Sequence, residues 1–427
     1  MIVPPITHRV EVGICGSPVS LVAGYTSSQT PSRIETPECM ENCREAFVDL
    51  ELSEEQKLLQ KSVREFAESE VRPLAKELDE TGHFPRELFK KAAELGLTGV
   101  AFPEHEGGAG FDHIAYAIVI EEVSRCCAST GVILSVQNSL FCDPIHRYGT
   151  DEQKNRFLLP FTRGAKIGCY ALTEPQAGSN AAALQTKAVK KGDKYVINGT
   201  KAWITNGGVA DAAIVYVNTD PPKGEKGITA LLVEKGTPGF KVGKEEKKLG
   251  INATACSELV FADCEVPEGN RIGKEGEGYK VALSTLDGGR IGIAAQATGI
   301  AQGAFEAALK WSQERMAFGH PIAQFQAIQF MLADMATEID AARLLVRKAA
   351  WKQDSGARFS LEAATAKLFA SEMATRVAHK AIQIHGGYGY SKEYPVERAY
   401  RDARITEIYE GTSEIQRLVI ASWVLKG

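Results

Sequence analysis

A carboxylate acts as a proton base when its surroundings hold it between full ionisation and full neutrality, and Glu410 stands at such a place. It lies in the run Ile405-Thr406-Glu407-Ile408-Tyr409-Glu410-Gly411-Thr412-Ser413-Glu414-Ile415-Gln416. Ile405 and Ile408 have helical spacing, Gly411 breaks the helix, and Ser413 with Gln416 reads as a capping box opening a last helix. Glu410 therefore falls on a turn just ahead of a helix N-terminus. The positive helix end favours the ionised form, while burial against an apolar substrate raises the pKa. A general base fits those opposed influences. From these residues alone, a solvated turn carboxylate fits as well.

Four other stretches have the chemistry of ligand contact. Cys169–Asn180 is a strand running into a Pro/Gly turn, whose free N–H groups and hydroxyls suit a flat heterocycle or a phosphate. A plain connector between domains is the alternative. Trp203-Ile204-Thr205-Asn206 offers an indole that can cover a ring face and a hydroxyl beside it, or a Trp packed on a hairpin. Arg315-Met316-Ala317-Phe318-Gly319 carries a guanidinium whose fork matches pyrophosphate oxygens. Gln383-Ile384-His385-Gly386-Gly387 is a glycine-rich helix end, open to a phosphate or adenine or simply a C-cap, with His385 a packing residue. No GxGxxG precedes a helix, so nicotinamide binding has no support.

The elements that must position these residues come in three blocks. Residues 1–44 are rich in Pro, Ser, Thr and Gly without periodicity and read as a poorly structured extension, with Met40 a candidate start. Residues 45–164 read as all-α: Ser53 and Gln56 form a capping box, and helices are expected at Arg86–Leu95, His113–Cys127 and Thr130–Tyr148. Residues 165–275 read as a β domain with two strands about an Asn198-Gly199 hairpin turn, further strands at Ala212–Val217, Ile228–Val233 and Glu258–Phe261, and a solvated loop at Lys244–Lys248. Residues 276–427 read as a helical bundle with long helices at Ile291–Phe318, Ile322–Ser355 and Leu361–Ile384.

Composition sets the outer limits. Charged residues make up 24% and the net charge is −5, so nothing favours nucleic acid or an anionic membrane surface, and no apolar run has transmembrane length. The nine cysteines, without a CxxC pair, read as reduced thiols, Cys126-Cys127 within a buried helix.

Tyr409–Gln416 resembles the catalytic segment of the acyl-CoA dehydrogenases, nearest the short-chain (butyryl-CoA) branch, and the likeness runs from about Leu50 to the end. The resemblance implies an α+β fold: an N-terminal α-helical domain, a middle β domain and a C-terminal four-helix-bundle domain. It implies FAD, with Tyr170, Ala171, Leu172 and Thr173 near the flavin ring, Gly178 and Ser179 near pyrophosphate or substrate, and Trp203, Ile204 and Thr205 as the second flavin motif. Thr412, Ser413 and Glu414 join that set. Arg315, Phe318, Gln326, Gln383, Ile384, His385, Gly386 and Gly387 resemble the segments that reach a neighbouring subunit's FAD, which implies a homo-oligomer; the family is typically a tetramer, a dimer of dimers.

Asp287, Gly288, Gly289 and Arg290, with Ser179 and Gly411, resemble the substrate segment, Arg290 holding part of CoA. Some branches carry their base at the position of Gly289, so Glu410 is the base the resemblance offers here. The implied reaction is α,β-dehydrogenation of a short-chain acyl-CoA, Glu410 taking the α-proton and electrons passing to an electron-transferring flavoprotein. Gly131–Asn138 holds no Lys or Arg for a distal carboxylate, which argues against a dicarboxylic substrate. Branched or cyclic acyl-CoA, an acyl-CoA oxidase, and a non-catalytic binding or assembly partner are the rival readings. The bacterial cytoplasm is the expected compartment, the mitochondrial matrix its alternative. Asn180 and Asn252 stand where the family has Asp and Arg, and an amide–amide contact between them is expected.

Overall fold

The computed structural model describes residues 51–426. The expected extension at 1–44, and Met40 with it, lies outside them. Helix Glu54–Phe66 starts at Ser53, where Gln56 N donates to Ser53 Oγ (3.1 Å) and Ser53 N to Gln56 Oε1 (3.0 Å), the reciprocal box that its sequence called for. Helix Arg86–Glu94 follows, and helix His113–Cys126 is capped by Asp112 and buried along most of its length.

The continuous helix expected over Thr130–Tyr148 is instead three pieces: Ala128–Ser135, a π-helical stretch Val136–Cys142, and Asp143–Tyr148. Asn138 explains the interruption. Its Nδ2 donates to Leu134 O (2.9 Å) and Leu97 O (3.0 Å) while its Oδ1 accepts from Val100 N (2.9 Å), so a side chain competes for the carbonyl that a regular turn would use.

The middle block is one sheet. Its strands are β1 (Gly168–Ala171), β2 (Lys187–Lys191), β3 (Lys194–Ile204), β4 (Ala212–Asn218), β5 (Ile228–Glu234), β6 (Phe240–Glu245), β7 (Ser257–Pro267) and β8 (Arg271–Ile272). The order is β6-β7-β3-β2-β4-β5-β8, with β1 parallel beside β4. The apolar runs of β4 and β5 are buried on both faces.

Asn198-Gly199 is not a hairpin turn. It sits inside β3 at a register shift against β7, and a Cβ on Gly199, at φ +153°, would lie 2.5 Å from Thr186 Oγ1. Glycine there serves a bulge and a close approach, not a reversal. The reversal is made by Gly192-Asp193, between Lys191 and Lys194, with Gly192 at φ +62°. The expected loop Lys244–Lys248 begins on β6, whose residues are mostly exposed.

Helix Gly278–Glu314 begins well before the expected Ile291 and ends before Phe318, which lies between the short strands Met316–Ala317 and His320–Pro321. Gly288 and Gly289 lie within this helix, and neighbouring groups occupy the space a side chain would need at Gly289. Helices Gln326–Asp354, Ser360–His385, Pro395–Thr406 and Ser413–Val424 complete the bundle. Buried alanines such as Ala294, Ala301, Ala370 and Ala374 let its helices pack closely. Among the described residues no helix is long and apolar enough to cross a membrane. The six described cysteines are free and buried, Cys126 ending its helix and Cys127 extended just after it.

Candidate active site

The turn that carries Glu410 is built from backbone strain held by side chains. After helix Pro395–Thr406, Ser413 N reaches back to Glu407 O (2.9 Å), and between them Glu410 takes φ +52° and Gly411 φ +93°. A left-handed non-glycine residue costs about 1 kcal/mol and persists only where surrounding bonds impose it. Here Gln416 Nε2 donates to Glu410 O (3.2 Å) and Gly411 O (2.9 Å), and the buried Lys367 Nζ donates to Gly411 O (2.7 Å).

The cap of the last helix is Thr412, whose Oγ1 accepts from Ile415 N (3.3 Å), and not Ser413, the first helical residue. Gln416 is therefore an anchor of the turn rather than half of a capping box.

The Glu410 side chain points at helix Gly278–Glu314. Its Oε2 is buried without a hydrogen-bond partner, and Gly289 faces it so closely that a Cβ there would collide with that oxygen. Burial raises the Glu410 pKa to about 7, against the opposing pull of Lys367 and Arg290. Burial likewise lowers Lys367 to about 7, against Glu410. The Glu410 N–H makes no hydrogen bond among the described residues.

Of the other expected substrate residues, Asp287 accepts from Arg290 Nη1 (2.6 Å) and from Ser360 Oγ (2.6 Å). Arg290 is buried, with its Nε unpartnered. Asp287 borders a cleft of about 920 Å³ that also exposes Arg147, Lys226, Lys280 and Arg358. Asp143 and Glu225 line it as well, so the mouth carries both signs of charge with the cations in slight excess, and its size suits an extended ligand bearing anionic groups. Ser179 and Gly178 are exposed, and nothing lies within 4 Å of a Cβ on Gly178.

The two expected flavin motifs are brought side by side, since Ala202 N donates to Thr173 O (2.9 Å). Tyr170, Ala171 and Leu172 form the end of β1 and its exit, Ile204 is buried at the end of β3, and Thr205 follows it. Trp203 sits on a bulge at φ +61° with its indole 57% exposed, so it does not pack a hairpin onto the core. An apolar ring held outward on a strained backbone, next to open backbone, fits the face of a planar cofactor. Beneath them lies a pair that sequence reasoning missed. Lys201 and Glu174 are both buried at 2.7 Å, and Lys201 also donates to Leu172 O (3.1 Å).

Arg315, Phe318, Gln383, Ile384, His385, Gly386 and Gly387 gather elsewhere. Trp311 stacks on His385 at 5.1 Å between centroids, and Arg315 lies 5.3 Å over Tyr388. Phe318 is 93% exposed, Gln326 begins its helix, and Gly386 and Gly387 have open space where side chains would be. No hydrogen bond or ring contact among the described residues joins this cluster to Thr173 and Trp203. Thr412, Ser413 and Glu414 start the last helix, Ser413 with a buried, unpartnered Oγ.

The expected contact between Asn180 and Asn252 is absent. Asn180 is exposed, whereas Asn252 Nδ2 donates to Asp79 Oδ1 (2.8 Å), a carboxylate that also binds Arg401 Nη1 at 3.0 Å. Asp79, and not Asn180, supplies the partner for position 252.

Family models for the acyl-CoA dehydrogenase N-terminal, middle and C-terminal domains match residues 53–165, 169–264 and 276–425. The chain is 53% identical over 379 residues to the short-chain specific acyl-CoA dehydrogenase of Clostridium acetobutylicum, covering 89% of this chain and 100% of that one. It is 53% identical over 380 residues to the mitochondrial short-chain specific enzyme of Homo sapiens, covering 89% and 92%. The solved butyryl-CoA dehydrogenase of Megasphaera elsdenii superposes with a TM-score of 0.87 at 47% identity, covering 88% and 100%. With a carboxylate turned toward a glycine of the long helix, and an outward Trp beside the β1 exit, this chain belongs to the acyl-CoA dehydrogenase family of FAD-dependent oxidoreductases.

Proposed function

We propose that this enzyme converts a short-chain acyl-CoA to its trans-2-enoyl-CoA, Glu410 removing the α-proton. The observation that carries the reading is the Glu410 carboxylate, on a half-buried residue: its Oε2 is buried, without a partner, and faces the gap left by Gly289. A buried carboxylate oxygen kept unpaired is costly unless its partner is a ligand. The free Glu410 N–H is a donor for the thioester oxygen, which acidifies the α-carbon by stabilising the charge that forms as the proton leaves. FAD, held by Tyr170–Thr173 and Trp203–Thr205, supplies hydride acceptance from Cβ when bound.

The cleft beside Asp287 supports binding of the CoA moiety, and Gly131–Asn138, buried and without a cation, supports an uncharged acyl chain. The cluster about Arg315 and His385 supports a cofactor site completed across a subunit contact, and so at least a dimer, with the family's tetramer as the proposed assembly. An electron-transferring flavoprotein is the proposed acceptor of the electrons.

The test is an anaerobic titration with butyryl-CoA. The flavin band bleaches in wild type and not in Glu410→Gln. Bleaching only by longer, branched or cyclic thioesters moves the substrate, rapid turnover with oxygen makes the enzyme an oxidase, and a protein that takes up no FAD overturns the reading.

A further inference from the structure

We propose that Lys367 is a positioning residue for the reaction: from helix Ser360–His385 its buried ammonium pins the Gly411 carbonyl and supplies the counter-charge that keeps the Glu410 carboxylate ionised. The inference rests on the reading of Glu410 as the base.

A lysine head group is rarely buried, because the ammonium carries three donors and a charge that water otherwise satisfies. Lys367 has no exposed surface, and Gly411 O at 2.7 Å is its one hydrogen bond. No carboxylate lies within ion-pair distance of it among the described residues; the charges near enough to act on it are Glu410, Arg290, Glu407 and Glu372, three of them carboxylates. Two are already committed. Glu372 pairs with Arg417 at 2.7 Å, and Glu407 with Arg404 at 2.5 Å and Thr375. Glu410 is the carboxylate left without a partner.

The same accounting holds from the other side. The groups that face Glu410 are Lys367, Arg290 on helix Gly278–Glu314, Tyr116 on helix His113–Cys126, Tyr170 on β1 and its neighbour Tyr409. Arg290 is matched to Asp287 at 2.6 Å, and the tyrosines carry no charge, their own ionisation pushed upward by burial. Lys367 is the cation free to balance the base. Because Gln416 holds the same turn through two further bonds, losing Lys367 removes a charge and one of three anchors rather than the turn itself.

The test compares wild type with Lys367→Met, Lys367→Gln and Lys367→Arg, reading kcat/KM for butyryl-CoA against pH. In parallel, the protonated-carboxyl infrared band of Glu410, isolated by subtracting Glu410→Gln, is titrated in the protein without substrate. Lys367→Met moves the acidic limb, and the infrared midpoint with it, upward by about one to three pH units, the effect of removing a nearby opposite charge. Lys367→Gln keeps a donor for Gly411 O but not the charge and shifts both in the same direction, so the answer survives if the Met variant does not fold. Lys367→Arg returns the limb toward wild type. Folded variants that keep the wild-type limb and midpoint while only their melting temperature falls overturn the proposal. Activity retained by Glu410→Gln instead overturns the assignment of the base, a result separable from the first.

Discussion

Gly289 and Glu410 meet through a missing side chain: a Cβ on Gly289 would lie 3.1 Å from Glu410 Cδ and 2.8 Å from Leu140 Cδ2. The long helix, the turn after helix Pro395–Thr406 and the π-helical stretch converge on that point. Gly289→Ala therefore improves helix propensity by about 1 kcal/mol yet forces the carboxylate aside. Displacements of about 1 Å at a reacting group cost on the order of a hundredfold in rate. The expected variant folds, binds FAD and loses about that much kcat, read by anaerobic single-turnover reduction.

The raised pKa of Glu410 makes two linked pH predictions. The base works ionised, so kcat/KM rises through the region of pH 7 as the carboxyl loses its proton. Stability runs the other way. Between the ordinary value of 4.5 and about 7 the folded state holds a proton that the unfolded state has lost, so stability falls as pH rises across that window. Glu410→Gln removes the titrating group. It should flatten the fall of stability between pH 4.5 and 7 in denaturant titrations without recovering the whole penalty, because the same change leaves the buried Lys367 without its counter-charge.

The pair Lys201–Glu174 lies beneath the segment proposed to hold the flavin, and burial lowers Lys201 to about 8 against the pull of Glu174. Lys201→Met leaves Glu174 buried without its cation, a loss of about 3–5 kcal/mol. It also frees Leu172 O, so the protein should leave a gel-filtration column with a lower flavin-to-protein absorbance ratio. Unchanged denaturation and full flavin content would refute this.

Trp203 separates cofactor binding from folding. With Trp203 exposed and its backbone at φ +61°, Trp203→Gly relieves local strain by about 1 kcal/mol while removing the surface proposed to cover the flavin. Melting of the FAD-free protein should rise slightly as FAD affinity, measured by fluorescence titration, falls.

Much of this was legible in the sequence because the elements were marked by local chemistry. The Ser53 box, the β4 and β5 runs and the Glu410 turn all follow from neighbours a few residues away. Failures came where a distant group changed the meaning of a local signal. Asn198-Gly199 reads as a turn until Thr186 is known to lie against Gly199, and the helix expected from Ile291 runs back to Gly278 through Gly289, where Glu410 fills the space beside it. Thr412 outcompetes Ser413 as cap because the turn is anchored one residue earlier. Lys367 was missed although a signal existed. It shares a helix face with Ala363, Ala370 and Ala374, all buried, so 3.6-residue periodicity already pointed it inward.

The burial of the thiols has a practical consequence. Burial pushes Cys126, Cys256 and Cys264 to about 11 and raises Cys127, Cys142 and Cys169 as well. A thiol-specific reagent reacts with the thiolate, and therefore with each of these sulfurs only when its surroundings part. Because they are spread over the helix His113–Cys126, the π-helical stretch, β1 and β7, their order of labelling is a clock for which part of the molecule opens first. With Cys15, Cys39 and Cys43 replaced by serine, mass spectrometry of timed labelling would resolve local breathing at the β1 exit from opening of the whole molecule, and show whether FAD slows the first without the second.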